Sequence, residues 1–254
     1  MHTLTKLYAT KIRQQKLVYI FFACFFMASF FYAFLISTPE MEELLNIDVE
    51  IVGKGNFPEF MMRFYVGAVG ILFQVFLLTM FLCEEDRAKM LYQPLLHGES
   101  RSRIVKSKII VAASMSMIFV LLTAIINYVT AYMRWGSQIF EVELVMGIVS
   151  KYILSGIYMS CLSIGTIALS ICIRNTWKTI FCVIVYMVAD SFVCNTGILF
   201  LKKIWIGYYP NLWTFTYEYR SLPLKDALAG IVIMVLYGIF FYQMAQYKIK
   251  KMNF

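Results

Sequence analysis

Five stretches of this chain, residues 17–36, 64–83, 109–133, 152–173 and 227–247, run for 20 residues or more without an Asp, Glu, Lys or Arg. A sixth, 179–201, is interrupted only by Asp190. About 20 mostly apolar residues wound as a helix reach across the hydrocarbon core of a bilayer. The pattern therefore predicts an all-α polytopic membrane protein with six transmembrane helices. Composition agrees: 61% of the 254 residues are hydrophobic and 15% charged, against about 25% charged in soluble domains. A chain this size cannot bury so much apolar surface inside itself. Loops and ends take up the remaining residues, so 1–254 reads as a single transmembrane domain with no soluble domain attached.

The net charge of +8 is informative through its distribution across the spans, and it argues for membrane topology rather than for nucleic acid. With the N-terminus inside, 15 of the 23 basic residues fall on one side, in the first segment, the second-to-third loop, the fourth-to-fifth loop and the C-terminal tail. The opposite side collects Glu40, Glu42, Glu43, Asp48, Glu50 and Glu59 in its first loop. Both termini are thus expected in the cytoplasm of a cell, bacterial by its general character, with the chain multi-pass in the plasma membrane. The first apolar run is longer than a signal-peptide core and lacks a small-residue cleavage site, so it should persist as a span. The six cysteines, Cys24, Cys83, Cys161, Cys172, Cys182 and Cys194, fall in or beside predicted helices, which suits apolar packing rather than a disulfide framework.

Outside the spans, residues 3–16 place Leu4, Leu7, Tyr8 and Ile12 at helical spacing with Lys6, Lys11, Arg13 and Lys16 elsewhere on the wheel. That is an N-terminal amphipathic interfacial helix, its basic face suited to anionic headgroups. The cytoplasmic loop between spans two and three opens with Glu84, Glu85, Asp86 and Arg87, continues with Leu91, Leu95 and Leu96, and breaks at Gly98. Acids at its start favour a helix N-terminus and the leucines give it an apolar face. A short half-apolar helix with charge at both ends is built to dock on a partner. Ser100 then stands as a cap for a helix running into span three.

The stretch Ser100-Arg101-Ser102-Arg103-Ile104-Val105-Lys106-Ser107-Lys108 resembles the S-R-x-x-I-x-x-x-K signal that opens the third span of type-2 ABC exporter permeases. In that family it follows an acid at the end of span two and a leucine-rich coupling helix, as Glu84, Glu85 and Leu91 to Leu96 do here. Lys89-Met90 departs from the usual Gly-Thr and Gly98 from the usual Pro. The resemblance extends over six spans, an amphipathic starter helix and the length of the chain. It implies a permease that dimerises, as homo- or heterodimer, with a separate ATPase subunit docked on Glu84, Glu85, Arg87, Leu91, Leu95, Leu96, Arg101 and Arg103. No G-x-x-x-x-G-K-[ST] occurs in the sequence, so ATP and Mg are expected in the partner and no cofactor, metal or catalytic residue in this chain.

Two further features are candidates for the substrate path or gate. Asp190 is an acid near the middle of the fifth run, and an acid at that depth costs about 2.5–3.5 kcal/mol unless it faces protein or water; Tyr186, one turn earlier, could donate to it. Between spans five and six, Trp205, Tyr208, Tyr209, Trp213, Phe215, Tyr217 and Tyr219 crowd one segment, the density of a membrane interface, with Gly207 and Pro210 expected to break it into two pieces. In the resembling family this connection dips into the outer leaflet as two short helices. Span four carries Ser155, Gly156, Ser160, Ser163, Thr166 and Ser170, small residues that favour close helix packing.

An enzyme reading starts from Glu84-Glu85 and Lys89, close to the E-E-x-x-x-R of membrane proteases. Such sites need histidines at membrane depth, and the chain has only His2 and His97, both outside the apolar runs. A six-helix small-solute uptake subunit is a second alternative, but it would not need a leucine-and-charge docking helix. Among permeases the apolar spans exclude a hydrophilic polymer as cargo. An amphipathic substrate, such as a bacteriocin or peptide toxin, fits the aromatic segment and the acidic loop best, with a drug or lipid exporter as the alternative.

Overall fold

The computed structural model describes residues 2–35, 56–82, 100–140, 142–195, 198–216 and 222–251. Among them there is no β-strand, and five helices are long and apolar enough to cross a membrane, or six when one bent pair counts as a single span. In chain order the helices are α1 (His2–Arg13), α2 (Lys16–Leu35), α3 (Phe57–Phe64), α4 (Gly70–Phe81), α5 (Arg101–Trp135), α6 (Val142–Ile173), α7 (Thr176–Asn195), α8 (Leu199–Ile204), α9 (Tyr208–Asn211) and α10 (Leu224–Lys250).

Helices α5 and α6 form the centre of the bundle. They pack along each other; α10 lies against both, α2 against α5, and α4 against α6. Small residues on α6 permit this closeness. A Cβ on Gly156 would come within 2.2 Å of Met117 Sδ, and one on Gly165 within 3.0 Å of the Phe241 ring. The hydroxyl of Ser160 also crosses to α5, donating to the Ala113 carbonyl at 2.8 Å. Small-residue stripes work this way in lipid, where van der Waals contact and buried hydrogen bonds replace the hydrophobic effect as the force between helices.

Helix ends follow local chemistry. Ser100 is extended, and its Oγ accepts from the Arg103 amide at 3.3 Å, satisfying one of the free donors of the first turn. At the other end Gly136 takes φ +68, a conformation that glycine adopts without the Cβ penalty. Asn175 accepts from the Lys178 amide at 3.1 Å and starts α7.

Span two differs from the continuous helix expected over 64–83. Its first part begins at Phe57, passes through a π-helical turn at Tyr65–Val69, and resumes as α4 after a bend of 44°. A Cβ on Gly70 would sit 2.4 Å from the Tyr65 carbonyl oxygen, so the wide turn requires glycine there. The fifth span also differs: α7 ends at Asn195, and the apolar residues after it form the separate short helix α8. The first span, Lys16–Leu35, matches its run within a residue at each end, whereas the third, fourth and sixth extend beyond theirs at the water side. Arg101–Trp135 encloses 109–133, and Val142–Ile173 reaches ten residues before 152.

Candidate functional site

The long helices alternate in direction, so α1, the start of α5 and the end of α10 meet at one end of the bundle. Tyr8 and Lys108 are both buried there, with Lys108 Nζ 5.6 Å from the Tyr8 ring centre, and Gln246 Nε2 donates to the Ser102 carbonyl at 3.3 Å. Leu4, Tyr8 and Ile12 of α1 are buried. The apolar stripe of this helix therefore rests on the protein, while Leu7 remains 59% exposed and free for lipid. Of the residues expected to contact an ATPase, Arg101 and Arg103 occupy the first turn of α5 at this end. Glu84, Glu85, Arg87, Leu91, Leu95 and Leu96 lie outside the described residues.

At the opposite end, α8 and α9 form a short hairpin between α7 and α10. Asp190 is five residues from the end of α7, not at the middle of a span, and its carboxylate faces the hairpin. Trp205 Nε1 donates to Oδ1 at 2.6 Å, and Asn211 Nδ2 donates to Oδ2 at 3.2 Å. Gly207 passes so close that a Cβ there would lie 1.7 Å from Oδ1. Tyr186 does not donate to Asp190. Its hydroxyl pairs with that of Tyr158 at 3.2 Å, and its ring stacks on Trp205 with centroids 5.7 Å apart. The aromatic residue that binds the acid thus comes from the hairpin rather than from the preceding turn of the same helix.

The other aromatics of the hairpin divide by burial. Tyr208 is half-buried, Tyr209 is buried with its hydroxyl donating to the Lys203 carbonyl at 3.0 Å, and Trp213 is fully buried. The Trp213 ring fills space beside α10, where a Cβ on Gly230 would come within 2.5 Å of it. Trp213 therefore secures the hairpin, and among the described rings Trp205 and Tyr208 remain partly accessible; the Phe215 side chain, Tyr217 and Tyr219 lie outside what is described. Gly207 precedes α9, whereas Pro210 lies inside it and does not divide the segment.

Between the two ends runs a polar connection that the apolar pattern concealed. Glu59, expected in an outer loop, is 1% exposed on α3 and meets Lys151 of α6 at 2.6 Å. Beside the pair, Tyr152 donates to the Pro58 carbonyl at 2.6 Å and accepts from Asn127 Nδ2 at 2.8 Å, while Asn127 Oδ1 accepts from Ser29 at 3.0 Å. Four helices, α2, α3, α5 and α6, are joined by these contacts. Deeper in the bundle Ser163 donates to Gln74 Oε1 at 3.3 Å and shares a hydrogen bond with Ser116, and Gln74 donates to the Tyr65 hydroxyl at 3.0 Å. Glu59 and Lys151 escaped the sequence reading because Glu59 lies with the other acids before the charge-free run that starts at Phe64, and Lys151 directly before the run that starts at Tyr152, so both read as loop charges. The burial rhythm of Phe57, Pro58, Met61, Met62 and Tyr65 was the available sign that the helix continues past Arg63.

Such an arrangement can hold helices together; among the described residues no group of three or more His, Cys, Asp or Glu stands close enough to hold a metal. The family model described as ABC-2 family transporter protein matches residues 8–190, from α1 to the acid that holds the hairpin. No curated protein and no solved structure matches the chain. The match spans well over half of the sequence, and the chain belongs to the ABC-2 transporter family.

Proposed function

Starting from that membership in a family of ABC transporter membrane subunits, we propose that this chain is the permease of an exporter and moves an amphipathic cationic peptide out of the cell. In this reading it pairs with a second permease, homo- or heteromeric, and a separate ATPase supplies the energy. The segment carrying Glu84, Glu85, Arg87, Leu91, Leu95 and Leu96, with Arg101 and Arg103, receives the ATPase on the cytoplasmic side. Helix α5 then acts as the lever. Its 35 residues form one uninterrupted helix, roughly 50 Å long at 1.5 Å per residue, so a displacement at Arg101 is felt at Trp135.

The observation that carries the cargo assignment is the hairpin. It offers Trp205 and Tyr208 at the end of the bundle opposite Arg101 and Arg103, held to α7 through Asp190, a bond that can open and close without unfolding a span. An apolar peptide face suits the rings, and its positive charge suits the acids Glu40, Glu42, Glu43, Asp48 and Glu50. Cells expressing the chain with its ATPase should tolerate more of an amphipathic antimicrobial peptide than cells lacking it. Tyr208→Ala should lower that tolerance with assembly intact. Equal sensitivity with and without the transporter, across a panel of such peptides, would move the weight to a drug or lipid exporter. Orientation is checked separately: single cysteines at Asp48 and Ser102 in a cysteine-free background should react and stay silent, respectively, with an impermeant thiol reagent on intact cells.

A further inference from the structure

The wide turn Tyr65–Val69 holds one residue more than an α-turn. The Gly70 amide donates to the Tyr65 carbonyl, five residues back, where an α-helix uses the fourth. Single turns of this kind inside α-helices are rare and recur at functional sites. Here the turn stands between two attachments of span two to α6. Before it Glu59 meets Lys151 at 2.6 Å, and after it Gln74 Oε1 accepts from Ser163 at 3.3 Å.

The extra residue sets which side chain faces α6. With α4 fixed on Ser163, tightening the turn to α would move every residue of α3 by one place, about 1.5 Å along the axis and about 100° round it. Phe60, whose ring centre is now 6.4 Å from that of Tyr32 on α2, would then stand opposite Lys151 in place of Glu59. A second bond marks the present register. Residues nine apart in a straight α-helix are separated by about two and a half turns and lie on opposite faces, yet Gln74 Nε2 donates to the Tyr65 hydroxyl at 3.0 Å. That bond depends on the wide turn and its bend. On the outer side the change meets no obstacle at Gly67, which is exposed and whose added Cβ would find no atom within 4 Å.

We propose that Tyr65–Val69 is a two-position register switch. In the wide position the Glu59–Lys151 and Tyr65–Gln74 bonds are made, and the outer part of span two is fixed to α6. In the α position both bonds break, and α3 is released as a unit. Two discrete arrangements of one element are what allow a rotation of α4, which continues in sequence toward Glu84, to be felt at the other end of the span. The switch does not depend on which cargo is exported.

Exchanging two neighbours on α3 tests it in the purified chain. Glu59→Phe with Phe60→Glu puts the acid at a position that only the α register presents to Lys151, so the exchanged chain should melt well above Glu59→Phe alone. Deleting Gly67 removes the extra residue and closes the turn to α with position 59 still opposite Lys151. In that shortened chain the parent Glu59 should be tolerated and the exchange should give no rescue. Tyr65→Phe should lower the melting temperature of the parent and leave that of the exchanged chain unchanged, which decides the question if the shortened chain does not fold. An exchanged chain no more stable than Glu59→Phe alone, a rescue that persists without Gly67, or an equal loss from Tyr65→Phe in both registers would overturn the switch.

Discussion

Glu59 and Asp190 are both acids on helices that pack into an apolar bundle, and the protein holds them by different means. Glu59 is enclosed and faces an opposite charge, Lys151, at 2.6 Å. Asp190 is only half-buried near a helix end, and neutral donors from Trp205 and Asn211 meet its two oxygens. Removing one member of a buried ion pair leaves the other charge in a low-dielectric site, at a large cost. Removing one neutral hydrogen bond at a half-buried acid costs much less, because water or lipid headgroups can take over. The first arrangement bolts α3 to α6, and the second joins a hairpin to α7 by a bond that can be broken and remade.

The comparison breaks most visibly at Lys151. Lys151→Met should cost about 3–5 kcal/mol by taking the Lys151 charge away from the buried Glu59, seen as loss of monodisperse protein after detergent extraction. Adding Glu59→Met should recover most of that loss, since two packed apolar side chains replace the pair. A Lys151→Met variant as stable as the parent would mean that the pair does not form.

Gly207→Ala tests the hairpin joint by steric means. A methyl group 1.7 Å from the Asp190 oxygen must displace either the acid or the hairpin, at roughly 1–3 kcal/mol for overpacking. Thermal melting of the purified chain should show the loss, and Asp190→Ser, which shortens the side chain, should relieve it. An unaltered melting temperature in Gly207→Ala alone would show that the hairpin does not sit on Asp190.

At Asp190 itself the two substitutions should separate. Asp190→Leu leaves the Trp205 donor without its acceptor, a penalty of about 1–3 kcal/mol, while Asn211 keeps its bond to the Gly207 carbonyl at 2.9 Å. Asp190→Asn keeps an acceptor for Trp205 and loses the one for Asn211, so it should fall between Leu and the parent in both expression and export. If Asp190→Leu expresses and exports normally, the joint has no part in transport.

The smallest effect is expected at the far edge of the Glu59 connection. Ser29→Ala removes one interhelical hydrogen bond to Asn127, worth about 0.6 kcal/mol in a membrane protein. A loss as large as that of Lys151→Met would mean that the connection behaves as one unit rather than as a charged centre with neutral extensions.

What can be read from the sequence is what depends on near neighbours along the chain. Charge-free runs specify membrane helices because hydrocarbon admits a backbone only when its own hydrogen bonds are closed. Ser100 specifies the start of α5, and the small residues from Ser155 to Ser170 specify a helix that others approach closely. The pairing of Glu59 with Lys151 joins positions 92 residues apart, and no local periodicity encodes it. Taken one at a time, each charge marks an interface, and only the bend after Tyr65 and the packing of α3 beside α6 turn the two into a buried bond. Asp190 shows the same division: its cost in lipid was evident from its position in an apolar run, but its partners come from a hairpin that begins only where α7 stops. Local chemistry therefore determined which segments become helices and that Asp190 would need company, while tertiary packing decided which polar groups meet, because a buried charge or donor is satisfied by whatever the fold brings within hydrogen-bond reach.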